Sequence, residues 1–274
     1  MDIERRQRHR AELQKKILQR IQDFCLMDDT FMTRVFTDNP LCTQFVLRII
    51  MDKPDLIVTE VRAQKDMRNL YGRSVRLDVF ATDNEGKIYN IEVQRRDSGA
   101  IPRRARYNSS MIDANVTEPG EKFEQLAETY VIFIMEHDIF HRGLPEYHIE
   151  RYISETLEPF GDDAHIIYVN GEIRGDTPLG FLMHDFFCSE PKQMKYAELA
   201  EHTRPYKEIT KGDGKMCRIM QELIDEEVVW ELKESHLEIA EEMLNDGIYP
   251  KEKIAQLTHL TLAEVEQLAA SLGR

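Results

Sequence analysis

The chain has 274 residues and sets 50 Asp and Glu against 36 Lys and Arg, a formal net charge of −14. That balance excludes a protein that coats nucleic acid indiscriminately, because such affinity rests on neutralising phosphates with basic side chains. A hydrophobic content of 42% allows a substantial core. No apolar run reaches the roughly 18 residues of a membrane helix, and the polar start Met1-Asp2-Ile3-Glu4-Arg5-Arg6 offers no secretory signal, so a cytoplasmic protein is expected.

In chain order, residues 4–25 read as an amphipathic helix, with Leu13, Ile17, Ile21 and Phe24 at helical spacing. Asp28-Asp29-Thr30 offers cap chemistry for a helix through Phe31-Met32-Thr33-Arg34-Val35-Phe36, and Pro40 opens another that ends near Met51. Leu56 to Gln64 reads as a strand, on which Glu60 is a further acidic ligand if its face matches that of the hairpin's Asp78.

The hairpin follows. Val75 to Phe80 and Ile88 to Gln94 alternate as strands about Asp83-Asn84-Glu85-Gly86-Lys87. A three-residue loop with Gly86 left-handed sets Asp83 opposite Lys87 and therefore Asp78 opposite Glu92. Like charges across a ladder destabilise it unless a proton or cation intervenes, so two readings stand: a divalent metal site, or an edge hairpin with both carboxylates in solvent. Hard oxygen ligands suit Mg²⁺ or Mn²⁺.

Beyond the hairpin, Arg95, Arg96, Arg103, Arg104 and Arg106 stand against the single acid Asp97. Such a cluster suits a phosphate backbone, or balances acidic surface elsewhere. Pro102 opens a helix through Asp113 that carries Arg103, Tyr107 and Ser110 on one side. Tyr130 to Met135 and Ala164 to Val169 read as buried strands, giving an α/β sheet. His137 and His141, with His148 beyond, lack the helix that would fix metal-ligand spacing. Cys25, Cys42, Cys188 and Cys217 are too scattered for a zinc knuckle or a disulfide framework and are expected reduced.

Glu222 to Glu227 belong to an acidic helix over about 215–245, read as a solvated face. Asp246-Gly247-Ile248-Tyr249-Pro250 interrupts it, and two short helices, 251–257 and 262–272, make a partial helix-turn-helix within 250–272. Glu264 and Glu266 fit packing or self-association better than groove reading.

Asp78, the hairpin and Glu92-Val93-Gln94 together resemble the PD-(D/E)xK nuclease superfamily, in its bacterial branch of recombination-promoting nucleases and transposases. The likeness extends through Phe31 to Phe36, Arg104-Ala105-Arg106-Tyr107 and Tyr130 to Ile134, and covers most of residues 26–220. It implies a restriction-endonuclease-like mixed sheet flanked by helices, over a domain of residues 1–212, with a helical region at 213–274. It further implies a metal-dependent DNA endonuclease in which Asp78 and Glu92 hold Mg²⁺ or Mn²⁺ and Gln94 completes the catalytic set. Arg95, Arg103, Arg104, Arg106 and Tyr107 would meet DNA. Gln94 replaces the usual Lys and no Pro precedes Asp78, which keeps open a decayed nuclease fold that binds nucleic acid or regulates. A third reading is an acidic helical protein that binds a partner. No membrane partner is expected, and the C-terminal helices are the expected route to a homo-oligomer.

Overall fold

A computed structural model describes residues 23–69, 72–207, 233 and 236–272. They belong to two compact units, one spanning Asp23–Glu208 and the other holding the described residues after Ile209. The helix expected over 4–25, but for residues 23–25, lies outside the described residues, as do the acidic run 222–227 and Cys217.

The first unit opens with α1 (Asp29–Phe36) and α2 (Pro40–Ile50). Pro40 stands in the first turn of α2, where its missing N–H costs nothing, and Asn39 caps the helix by accepting from the Cys42 N–H at 3.1 Å. Asp28, expected to cap α1, does not. Its carboxylate turns back to the Cys25 N–H at 2.8 Å and to Arg95 at 3.1 Å.

Six strands follow: β1 (Val58–Met67), β2 (Val75–Asp83), β3 (Ile88–Gln94), β4 (Thr129–Met135), β5 (Glu146–Ile149) and β6 (Ala164–Asn170). They form one mixed sheet in the order β1-β2-β3-β4-β6-β5. The first three run antiparallel as a meander, β3, β4 and β6 run parallel, and β5 returns antiparallel on the edge. Every residue of β4 is buried, as an uninterrupted apolar run in a parallel sheet requires when both faces are covered. Helix α3 (Pro102–Val116) joins β3 to β4, and its Ala105, Met111 and Ile112 share a buried cluster with Phe80, Val131, Phe133 and Tyr168. Two further helices, α4 (Pro178–Phe186) and α5 (Ala197–Lys207), were not foreseen. Nor was β5, whose Glu146-Tyr147-His148-Ile149 alternates polar and apolar but is only four residues long.

The hairpin has the expected register. Val79 faces Ile91, Thr82 faces Ile88, and the Asp83 N–H donates to the Lys87 carbonyl at 3.1 Å. Gly86 has φ 83°, the left-handed conformation a side chain would strain. Asp83 organises this turn from inside. Its Oδ1 accepts the Glu85 and Lys87 N–H groups, and its Oδ2 accepts the Tyr89 hydroxyl, all at 2.9 Å. Asp83 is buried, so Asp83→Ala leaves two turn N–H groups and a core hydroxyl without their partner. Chemical denaturation is expected to show a loss of about 2–4 kcal/mol.

In the second unit, helical residues 236–246 pack with α6 (Lys251–Thr258) and α7 (Leu262–Ser271). Ala240, Leu244, Ile254, Leu260, Val265 and Ala269 form their buried cluster. The joint is His259, at φ 57°, and α7 begins with a capping box in which Thr261 and Glu264 serve each other's backbone N–H. Lys233, followed by Thr261, holds the Glu264 carboxyl down to about 2. Glu264 is therefore part of the helix start. Among the described residues no helix is long and apolar enough to cross a membrane.

Candidate active site

The paired ladder between β2 and β3 ends at Val79 and Ile91, and there the two carboxylates take over from backbone carbonyls. The Asp78 N–H donates to Glu92 Oε1 at 3.4 Å, and the Val93 N–H donates to Asp78 Oδ2 at 3.2 Å. Each acid thus closes on the other strand. Glu92 is fully buried and Asp78 nearly so. Burial first, and then the Glu92 charge, pushes the Asp78 carboxyl up to about 8. Burial also raises Glu92, opposed by the Asn90 hydrogen bond and by Arg104.

Two residues of α3 hold two residues of β3. Arg104 Nη2 donates to Glu92 Oε2 at 2.7 Å, and Asn108 Nδ2 donates to Asn90 Oδ1 at 3.3 Å. Asn90 in turn donates to Glu92 Oε1 at 2.9 Å. Four residues along a helix rise about 6 Å and two along a strand about 6.6 Å, so the i, i+4 pair on α3 meets the i, i+2 pair on β3 without adjustment. Arg104 Nη1 also donates to the Gly99 carbonyl at 2.7 Å. Gln94 lies against the same glycine: a Cβ on Gly99 would stand 1.8 Å from Gln94 Oε1.

A cavity of about 380 Å³ opens over this end of the sheet, lined by Met27, Asp28, Asp29, Asp78, Val93, Gln94, Arg95, Arg96 and Arg104. Asp29, at the start of α1, raises both Asp78 and Glu92 through its charge. Its own Oδ1 accepts from Gln64 Nε2 at 3.2 Å, and the same nitrogen donates to Thr33 Oγ1 at 2.9 Å. Gln64 reaches α1 from a left-handed position in β1, φ 49°, a conformation a non-glycine residue adopts only where its surroundings hold it there. Sequence reasoning missed Asp29, Asn90 and Asn108. Strand alternation carried a signal for Asn90, two residues from Glu92, and helical spacing one for Asn108, four from Arg104. Asp29 carried none beyond a capping pattern.

The arginine cluster separates. Arg95 is taken up by Asp28 and Glu136, both at 3.1 Å. Arg96 is exposed at the cavity, Arg104 bonds Glu92, and Arg103 and Arg106 are exposed on α3 but do not line the cavity. The Tyr107 hydroxyl donates to the Arg73 carbonyl and accepts from Asn69, while its ring packs on the core. Glu60 faces Thr82 and so shares a sheet face with Asp78, but it stands four residues farther along, about 13 Å away, and pairs with Arg62. The histidine segment is a loop built on Asp138, which accepts from the Phe140, Arg142 and Gly143 N–H groups and the Tyr147 hydroxyl. Cys25, Cys42 and Cys188 are free thiols.

Residues 37–172 match the family model described as PD-(D/E)XK nuclease family transposase. The match takes in the acidic hairpin, α3 and the parallel core, on a mixed sheet flanked by helices. The sheet-bearing unit is a member of this family. Searches among curated proteins and solved structures returned no match. As a PD-(D/E)XK protein the chain has the restriction-endonuclease-like fold and the nuclease-like lineage of its family. Asp28 and Asp29 precede the matched segment.

The donor set of this PD-(D/E)XK site fits a divalent cation. Asp78 Oδ2 is bonded to Val93, while the residue lines the cavity with Oδ1 bonded to no described residue. Among the described residues no three acidic, thiol or imidazole side chains gather as a ready metal-binding group, so the donors are the pair Asp78 and Glu92, the latter bonded to Arg104, with the Asp29 charge acting on both.

Proposed function

We propose that this protein is a DNA endonuclease that hydrolyses phosphodiester bonds with Mg²⁺ or Mn²⁺, in recombination or the movement of mobile elements. The observation that carries this reading is the buried Asp78 and Glu92 pair, with Asp78 lining the cavity, inside a matched nuclease family segment. Asp78 and Glu92 would hold the cation, which when bound supplies charge to offset a phosphoryl oxygen and lowers the pKa of water. Asn90 and Arg104 fix the Glu92 carboxylate, and Gln94, seated on Gly99, orients the attacking water by hydrogen bonding. Arg96 faces the phosphate from the cavity wall. The test is conversion of supercoiled plasmid by the purified full chain with Mg²⁺ and with chelator. Loss of conversion on chelation is expected, and cleavage that survives chelation would sink the metal-dependent reading.

The seat of Gln94 gives a second test. Gly99→Ala must displace the Gln94 amide, so turnover is expected to fall about tenfold to a hundredfold while DNA affinity changes little. Equal losses of rate and affinity would mean that Gln94 touches nucleic acid. Gln94→Lys, which restores the usual motif ending, is expected to fold and to retain cleavage.

A second reading rests on Gln94 standing where the motif has Lys, a side chain that cannot carry charge. On that reading the fold has lost catalysis and binds nucleic acid or regulates. Binding of plasmid DNA without cleavage under any divalent cation would favour it. We assign residues 1–212 to the nuclease-like domain and 213–274 to a helical region that serves self-association within a cytoplasmic protein; sedimentation of a chain truncated after residue 212 tests the latter.

A further inference from the structure

Of the two motif carboxylates, Asp78 lines the cavity and Glu92 does not. Arg104 lies in that difference. It lines the cavity itself, its side chain is 35% exposed, and it bonds the wholly buried Glu92 at 2.7 Å. Glu92 Oε1 is already committed to Asn90 and to the Asp78 N–H. Oε2, the oxygen left for a cation, is the one Arg104 occupies. A guanidinium and a dication on one carboxylate oxygen would stand a few ångströms apart, where like charges in a partly buried site repel strongly. The arginine can leave Oε2 without leaving the site, since it lines the cavity and its other terminal nitrogen is anchored on the Gly99 carbonyl at 2.7 Å.

We propose that Arg104 is the resident counter-ion of Glu92, a positioning residue that holds the carboxylate in place without metal and yields Oε2 when a divalent cation binds. The proposal rests on the metal-dependent reading above. A buried carboxylate stripped of its only ionic partner is costly, so a site that must wait for its cation gains from carrying a replaceable one. Arg95 cannot serve, being paired with Asp28 and Glu136. Arg96 lines the cavity without bonding Glu92, which makes it the control for charge alone.

The experiment is Mn²⁺ binding by calorimetry to the full chain as wild type, Arg104→Ala, Arg104→Lys, Arg96→Ala and Asp78→Asn. Arg104→Ala is expected to bind Mn²⁺ about tenfold more tightly than wild type. Arg104→Lys should stay near wild type, and Arg96→Ala should change affinity less than about threefold, the through-space effect of one exposed charge. In the wild type, phenylglyoxal modification of Arg104, mapped by mass spectrometry, should accelerate several-fold on saturation with Mn²⁺. This second readout decides the matter if Arg104→Ala fails to fold. Wild-type binding that depends on Asp78, with affinity unmoved or weakened in Arg104→Ala and modification unchanged by Mn²⁺, overturns the exchange alone. Absence of Mn²⁺ binding in the wild type and every variant overturns the metal reading together with it.

Discussion

Asp78→Asn is expected to abolish plasmid cleavage and, in the absence of cation, to melt higher than the wild type at pH 8 but at nearly the same temperature at pH 5. The reason is the burial and the Glu92 charge that push the Asp78 carboxyl up to about 8. An unfolded Asp loses its proton near pH 4. Between those values unfolding releases a proton, so this carboxyl's contribution to stability is fully present below about pH 4, falls as pH rises and levels off above about pH 8. One proton gives a slope of about 1.4 kcal/mol per pH unit, or a few degrees of melting temperature per pH unit for a unit of this size. Asn keeps the acceptor for the Val93 N–H and removes the titration. Glu92→Gln should behave otherwise, losing about 1.5–3 kcal/mol, because it gives up a charged hydrogen bond to Arg104 inside the fold. Scanning calorimetry from pH 5 to 8 checks both. An Asp78→Asn protein less stable at every pH would mark the carboxylate as a ladder substitute that holds the two strands together.

The contrast between these two acids shows what the sequence could and could not reveal. Alternation and the left-handed Gly86 were enough to set the hairpin register, and with it Asp78 against Glu92, because a strand repeats every two residues and a short loop admits few geometries. The same logic extended to the buried run of β4 and to the Pro102 start of α3. It failed where partners are distant in sequence. Arg104 was legible as a basic residue in an arginine cluster, yet its pairing with Glu92 depends on how α3 crosses β3, which no local pattern encodes. Asp29 reaches the cavity because α1 is tied to β1 through Gln64, 35 residues away. In the sequence it was indistinguishable from a capping acid.

Replacing Arg96, Arg103 and Arg106 together by Ala is expected to weaken binding of DNA about equally across unrelated sequences and to flatten its salt dependence by nearly one unit of slope for each true phosphate contact. The choice of these three follows from where the five arginines of the cluster spend their charge. Arg95 is shared between Asp28 and Glu136, and Arg104 is committed to Glu92, so the charge of both is already spent within the protein. Arg96 at the cavity and Arg103 and Arg106 on the exposed side of α3 have no ion pair among the described residues. A chain of formal charge −14 repels DNA over most of its surface, so its affinity must concentrate where basic residues are available. The measurement is fluorescence anisotropy on two unrelated duplexes at several salt concentrations, with Ca²⁺ in place of Mg²⁺. A parallel drop on both duplexes with a shallower slope places DNA against this face. An affinity and slope unchanged by the triple replacement would remove DNA from it, and the reading of an acidic partner-binding protein on a decayed nuclease fold would then account better for the chain.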